Sequence, residues 1–226
     1  MLKKLTVLGI ALVMLFSVAG LTGCGDEQER NGTAADRTAI AFAMQQFQSK
    51  QSYTETLKNL TTIDEVTTAD HTIVTKYEKK GSETIAESYT ISDGEIIGYG
   101  YISGGYKYSD ILAPVEMRYK IYLGENIQDI ASTLTAEMIE QIDGENFKVK
   151  TDNGNTVYSF KFQVFPNMTA DYEITIQTES KLVLEIKVNG IAEIDGKTVI
   201  SKVSYLYDYT PITVNLPDDL DTYPDF

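Results

Sequence analysis

Val115-Glu116-Met117-Arg118-Tyr119-Lys120-Ile121-Tyr122-Leu123 is the stretch that decides the fold. Val115, Met117, Tyr119, Ile121 and Leu123 fall on one side of an extended chain, and Glu116, Arg118, Lys120 and Tyr122 on the other. A period of two is the signature of a strand with one apolar face. A slip of one residue would turn the charges inward, so the pairing register is specified. Upstream, residues 71–77 place Ile73 and Tyr77 on one face, and residues 84–91 do the same with Ile85, Tyr89 and Ile91. Asp93-Gly94 predicts a tight hairpin. The run 95–108 is rich in glycine and tyrosine, and its glycines predict bends or bulges.

Downstream the period changes to that of a helix. Ile127, Ile130, Ala131, Leu134, Met138 and Ile142 line one side of 127–142, with Gly144 as its stop. Strands then return, separated by the turn signals Asp152-Asn153-Gly154-Asn155 and Asp195-Gly196. Tyr158, Phe160, Phe162 and Val164 face inward, as do Tyr172, Ile174 and Ile176, and Leu182, Leu184, Ile186 and Val188. Near the start, Ala39, Ile40, Ala43, Met44 and Phe47 mark an amphipathic helix over about 35–49. About nine to eleven strands and two helices, without strand–helix–strand alternation, predict an α+β domain. Its large antiparallel sheet has one apolar and one solvated face, and the helices pack on the apolar one.

The N-terminus carries different information. Lys3 and Lys4 precede an apolar run from Leu5 to about Val18, shorter than the roughly 20 residues of a membrane span. Leu21-Thr22-Gly23-Cys24 follows. This order describes a secretory signal, and the last four residues resemble the lipobox of bacterial lipoproteins. The resemblance implies cleavage between Gly23 and Cys24 and a diacylglycerol on the Cys24 thiol. Cys24 is the chain's single cysteine, so it forms no intrachain disulfide. The implied layout is a signal peptide over 1–23, a polar flexible tether over 24–33 and one domain over 34–226. It places the protein on the extracytoplasmic face of the cell membrane, with the membrane itself as a partner.

Composition narrows the function classes. Removing residues 1–23 removes two lysines and no acids, which leaves 17 basic and 33 acidic residues and a formal charge of −16. Such a balance disfavours nucleic acid as a partner, because that binding rests on Lys and Arg meeting phosphate. It equally disfavours broad contact with anionic lipid, so anchoring falls to the acyl chains. One histidine, His71, stands beside Asp70 at the opening of an expected strand. With one His and one Cys, neither a catalytic triad nor a zinc site is expected. Asp152-Asn153-Gly154-Asn155 offers oxygen ligands but lacks the longer calcium-loop spacing, and a hairpin turn accounts for it. No phosphate-binding loop occurs. We therefore expect no catalytic residue, no metal and no cofactor.

An N-terminal helix, a long meander, a mid-chain helix and the ending Tyr207-Asp208-Tyr209-Thr210-Pro211 through Pro217 together resemble the LolA-type and LppX/LprG-type lipid-binding proteins and related lipoproteins of Gram-positive bacteria. The resemblance spans most of 34–217. It implies a curved half-barrel sheet with helices in its concave face and, between them, room for lipid or another hydrophobic ligand. The residues expected to line that space are Leu134, Met138, Tyr119, Phe160 and Phe162. A protein-interaction module without a small ligand is the alternative, an enzyme is the least favoured reading, and a monomer is expected.

Overall fold

The computed structural model describes residues 29–124, 134–142, 144–165 and 167–226. Its strands are β1 (Arg30–Asn31), β2 (Ser52–Ile63), β3 (Val66–Lys80), β4 (Glu83–Ser92), β5 (Glu95–Ser103), β6 (Tyr106–Ile111), β7 (Met117–Tyr122), β8 (Lys148–Asp152), β9 (Asn155–Phe165), β10 (Met168–Gln177), β11 (Val183–Ile194) and β12 (Lys197–Asp208). The helices are α1 (Ala34–Gln48) and α2 (Ala136–Glu140).

All twelve strands form one open sheet in the order β1, β8, β9, β10, β11, β12, β2, β3, β4, β5, β6, β7. Every neighbouring pair is antiparallel. The chain thus builds two meanders, β2–β7 and β8–β12, and joins them where β12 pairs with β2 from Val199↔Ile63 to Asp208↔Thr54. Two-residue turns close most hairpins. Asp93 and Gly94, Asn153 and Gly154, and Asp195 and Gly196 all take positive φ, the geometry that matches the twist of paired strands. Asp152-Asn153-Gly154-Asn155 is accordingly the β8–β9 turn.

Several expectations need correction. Among the described residues the strand count is twelve, because β2 is a strand that the alternation in its sequence does not reveal, and because Arg30–Asn31 pairs with β8. A strand of the sheet therefore lies within the segment assigned to the tether. His71 does not open a strand; it lies within β3, opposite Asn59. On β11 the register shifts opposite Thr175 and Ile176. The bulge turns Val183 inward, and Val183 and Ile186 are buried where Leu182 and Leu184 are half-buried. The decisive stretch holds β7, but at the edge of the sheet, and the side expected inward is exposed at Val115 (72%), Met117, Ile121 and Leu123.

The helices are shaped by their caps. In α1 the Asp36 carboxylate accepts from the Thr33 backbone N–H (2.8 Å) and hydroxyl (2.6 Å), and from both terminal nitrogens of Arg30 (2.7 Å each). These charge-assisted bonds, led by Arg30, lower the Asp36 pKa to about 2. Ile40, Ala43, Met44 and Phe47 are the buried stripe of this helix. At α2, the Thr135 side chain accepts from Met138 N–H at 3.2 Å and starts the helix there. Leu134 and Thr135 therefore precede α2, which ends at the cap Gln141 before reaching Gly144. The rest of the helix expected over 127–142, residues 127–133, lies outside the described residues, as does Asp143.

The core sits at the β8–β12 half of the sheet. Phe47 packs on Tyr53 (ring centroids 4.9 Å apart) and Tyr207 (4.8 Å). Phe160 stacks on Tyr172 at 5.3 Å. Ile40, Leu134, Ile139, Phe147, Ile174 and Ile186 complete the same cluster. We call the sheet face that carries Tyr53, Phe160 and Tyr207 the helix face.

The other face is less solvated than expected. After β12 the chain crosses it as a tail. Val214 N–H donates to Glu78 Oε2 (2.9 Å) and Asn215 N–H to Glu87 Oε2 (3.2 Å). Further on, the Tyr223 ring meets Tyr108 edge-on at 5.6 Å and lies 4.6 Å under the Arg118 guanidinium, which also pairs with Asp110 and Asp219. Finally Lys120 N–H donates to Pro224 O and Phe226 N–H to Lys120 O, so the last residues pair with the outer edge of β7. Glu78, Glu87, Tyr108 and Arg118 each neighbour a helix-face residue in sequence, which puts them on the opposite face.

Candidate ligand groove

Over β2–β7 the helix face holds a groove of about 430 Å³. Strand register explains how it forms. Glu55 pairs with Thr75, Thr75 with Ser88, Ser88 with Gly100, Gly100 with Ser109 and Ser109 with Tyr119. One cross-strand row is thus made of short side chains through its middle four positions. The row on one side contains Tyr77, Ala86 and Ile102, and the row on the other Leu57, Ile73 and Ile111. Short residues between bulky rows leave a trough. Gly100 is its tightest point, because a Cβ there would stand 2.6 Å from Ser88 Oγ.

The floor of the groove is polar. Glu55, Thr75 and Ser109, exposed by 7%, 8% and 8%, are three of the four buried polar or charged side chains among the described residues. The fourth is Asp36 at the helix cap. Ser88 Oγ donates to Gly100 O at 3.2 Å. Glu55 also acts on its neighbours. Burial first, and then its negative charge, raise the pKa values of Tyr205 and Tyr207, so both hydroxyls stay protonated.

The five residues expected at the ligand space part company. Tyr119 lines the groove. Leu134 and Phe160 are core residues of the helix-covered half, and Met138 and Phe162 pack against that core. The sequence reading missed Glu55, Thr75, Ser88 and Ser109. Each is a single short or polar residue on its strand, and they form one row only once the register is known. Among the described residues no group of three or more His, Cys, Asp or Glu could hold a metal ion. No described helix is long and apolar enough to cross a membrane. Gly23 and Cys24 lie outside the described residues.

No protein-family model and no curated protein matches the sequence. Solved structures do resemble the fold. The crystal structure of the lipoprotein LppX from Mycobacterium tuberculosis aligns with a TM-score of 0.52 at 8% identity, covering 81% of this chain and all of that one. LprF from Mycobacterium bovis gives 0.42 at 8% identity, covering 83% of this chain and 99% of that one. A DUF1329 family protein from Desulfovibrio piger gives 0.34 at 11%, covering 84% of this chain and 97% of that one. At these identities the likeness is one of fold.

Proposed function

We propose that this chain is a lipid-anchored, extracytoplasmic lipoprotein whose sheet curves as a half-barrel and holds a hydrophobic ligand in the groove over β2–β7. The groove carries the reading. Its volume falls within the roughly 300–1,000 Å³ of small-molecule sites, and its walls are apolar above a narrow polar floor. The fold shared with the lipoprotein LppX supports it. So does the sequence Leu21-Thr22-Gly23-Cys24, which supplies a thiol for diacylglycerol at the end of the polar tether. Fold likeness is an analogy, so the ligand rests on the groove itself.

Two experiments test the two parts. Native mass spectrometry of the full chain extracted from membranes should find a co-purified amphiphile, and Thr90→Trp, which fills the groove at its rim, should remove it without lowering the melting temperature. Retention of the same amphiphile by the filled variant would reject the groove. Metabolic labelling with palmitate should mark the wild-type chain and not Cys24→Ala; label on the variant would reject Cys24 as the anchor site.

One observation favours a second reading. Val66, Ile96, Leu112, Val115 and Ile194 are exposed apolar residues at the same end of the sheet, in or beside the β2–β3, β4–β5, β6–β7 and β11–β12 connections. They suit a protein-interaction module. Photocrosslinking from position 115 in cells should give one discrete protein adduct under that reading and a ladder or nothing under the first.

A further inference from the structure

Resting on the groove as a ligand site, we infer that its ligand is a single-chain amphiphile whose head is hydroxyl- or amine-bearing and not anionic. The volume sets the chain number. About 430 Å³ lies near the lower end of the range for drug-sized ligands, which suits one acyl chain better than several.

The floor sets the head. Glu55 brings a carboxylate, an acceptor alone when ionised. It stands at the β2 end of a row that continues through the hydroxyls of Thr75, Ser88 and Ser109. Thr75 and Ser109 are each more than nine-tenths buried, line the groove, and have no side-chain hydrogen-bond partner among the described residues. Their hydroxyls are not among the fully buried unsatisfied polar atoms, so they reach the open groove, where a ligand must offer polar groups in place of solvent. A plain hydrocarbon would leave them unmet. An anionic head would face Glu55 as a like charge. Lys107, the basic residue that lines the groove, is exposed and occupies the neighbouring row beside Ile102 and Ile121, not the buried floor. A head rich in donors meets the carboxylate and both hydroxyls at once.

The test uses the full chain in amphipol and three photoreactive dodecyl probes: an amine, a glucoside and a carboxylate. Labelled peptides are mapped by mass spectrometry. The amine and the glucoside should label peptides of β2–β7 about ten-fold more than the carboxylate, the factor expected for a hydrogen bond to a charged group. Glu55→Gln should narrow the amine-to-carboxylate ratio several-fold, and Thr75→Val with Ser109→Ala should weaken the glucoside most. Circular dichroism confirms that each variant is folded, and Ser109→Ala alone serves if the double variant is not. Equal or stronger labelling by the carboxylate, or ratios unmoved by these substitutions, overturns the inference and leaves the groove as a ligand site. Absence of labelling there by all three probes overturns both.

Discussion

The two halves of the sheet are covered on opposite faces. Over β8–β12 the helices bury the helix face, and Phe47, Phe147 and Phe160 fill it solidly. Over β3–β7 the tail buries the other face, where Ile85 lies, while the helix face keeps the groove. A sheet needs at least one covered face to be stable. In the second half the tail supplies that cover, and the helix face stays open as a groove. One half is therefore a foundation and the other a platform, and substitutions should separate them.

The largest effect should come from the foundation. Phe47→Ala removes a fully buried ring from the junction of α1, β2 and β12, and should destabilise the chain by about 3–5 kcal/mol, read by chemical denaturation. Next comes the tail. Tyr223→Ala removes the ring held between Tyr108 and Arg118 and should cost about 1.5–3 kcal/mol. Hydrogen exchange should then rise in β5–β7 and stay unchanged in β9–β11; a uniform rise would mean that the halves unfold as one unit.

Asp36→Asn should cost about 1–2 kcal/mol at neutral pH. The Asp36 pKa is lowered from 3.8 to about 2, so its contribution is complete above about pH 4 and is lost as the pH falls through about 2. The difference between wild type and variant should shrink over that window and not above it. The smallest effect is expected on the platform. Ser109→Ala should change stability by less than about 0.5 kcal/mol, because its hydroxyl serves the groove and not the packing. A larger loss would show that the polar floor is structural.

Legibility in sequence followed the same division. Where apolar residues alternate with polar or charged ones, as in 117–122 and 157–162, the strand could be read directly, but the side of 115–123 expected inward is exposed at an edge strand. The helix face of β2 carries Tyr53, Glu55, Leu57, Asn59 and Thr61, and the other face Thr54, Thr56 and Lys58. Both faces are mixed, so no period stands out, and with β2 went Glu55. The Asp64-Glu65 turn that ends β2 has positive φ at both residues without a glycine, so its signal was hidden as well. The β11 bulge shifts facing by pairing, which no local pattern encodes. The tail read as an acidic ending with two prolines, and its seat on Glu78 and Glu87 depends on strands more than a hundred residues earlier. A ligand groove is hardest of all to read, because it is made by what is missing: small residues aligned across strands.

The junction of β12 with β2 also governs how the molecule can come into being. Each meander can zip up from neighbouring hairpins, a local process. The seam joins Thr54 to Asp208 and Ile63 to Val199, nearly the whole length of the domain apart. Contacts of such sequence separation are slow to find. A chain emerging N-terminus first therefore holds β2 as an unpaired edge until its last strand is available. The groove, whose deepest carboxylate sits on β2, becomes whole only at that final closure.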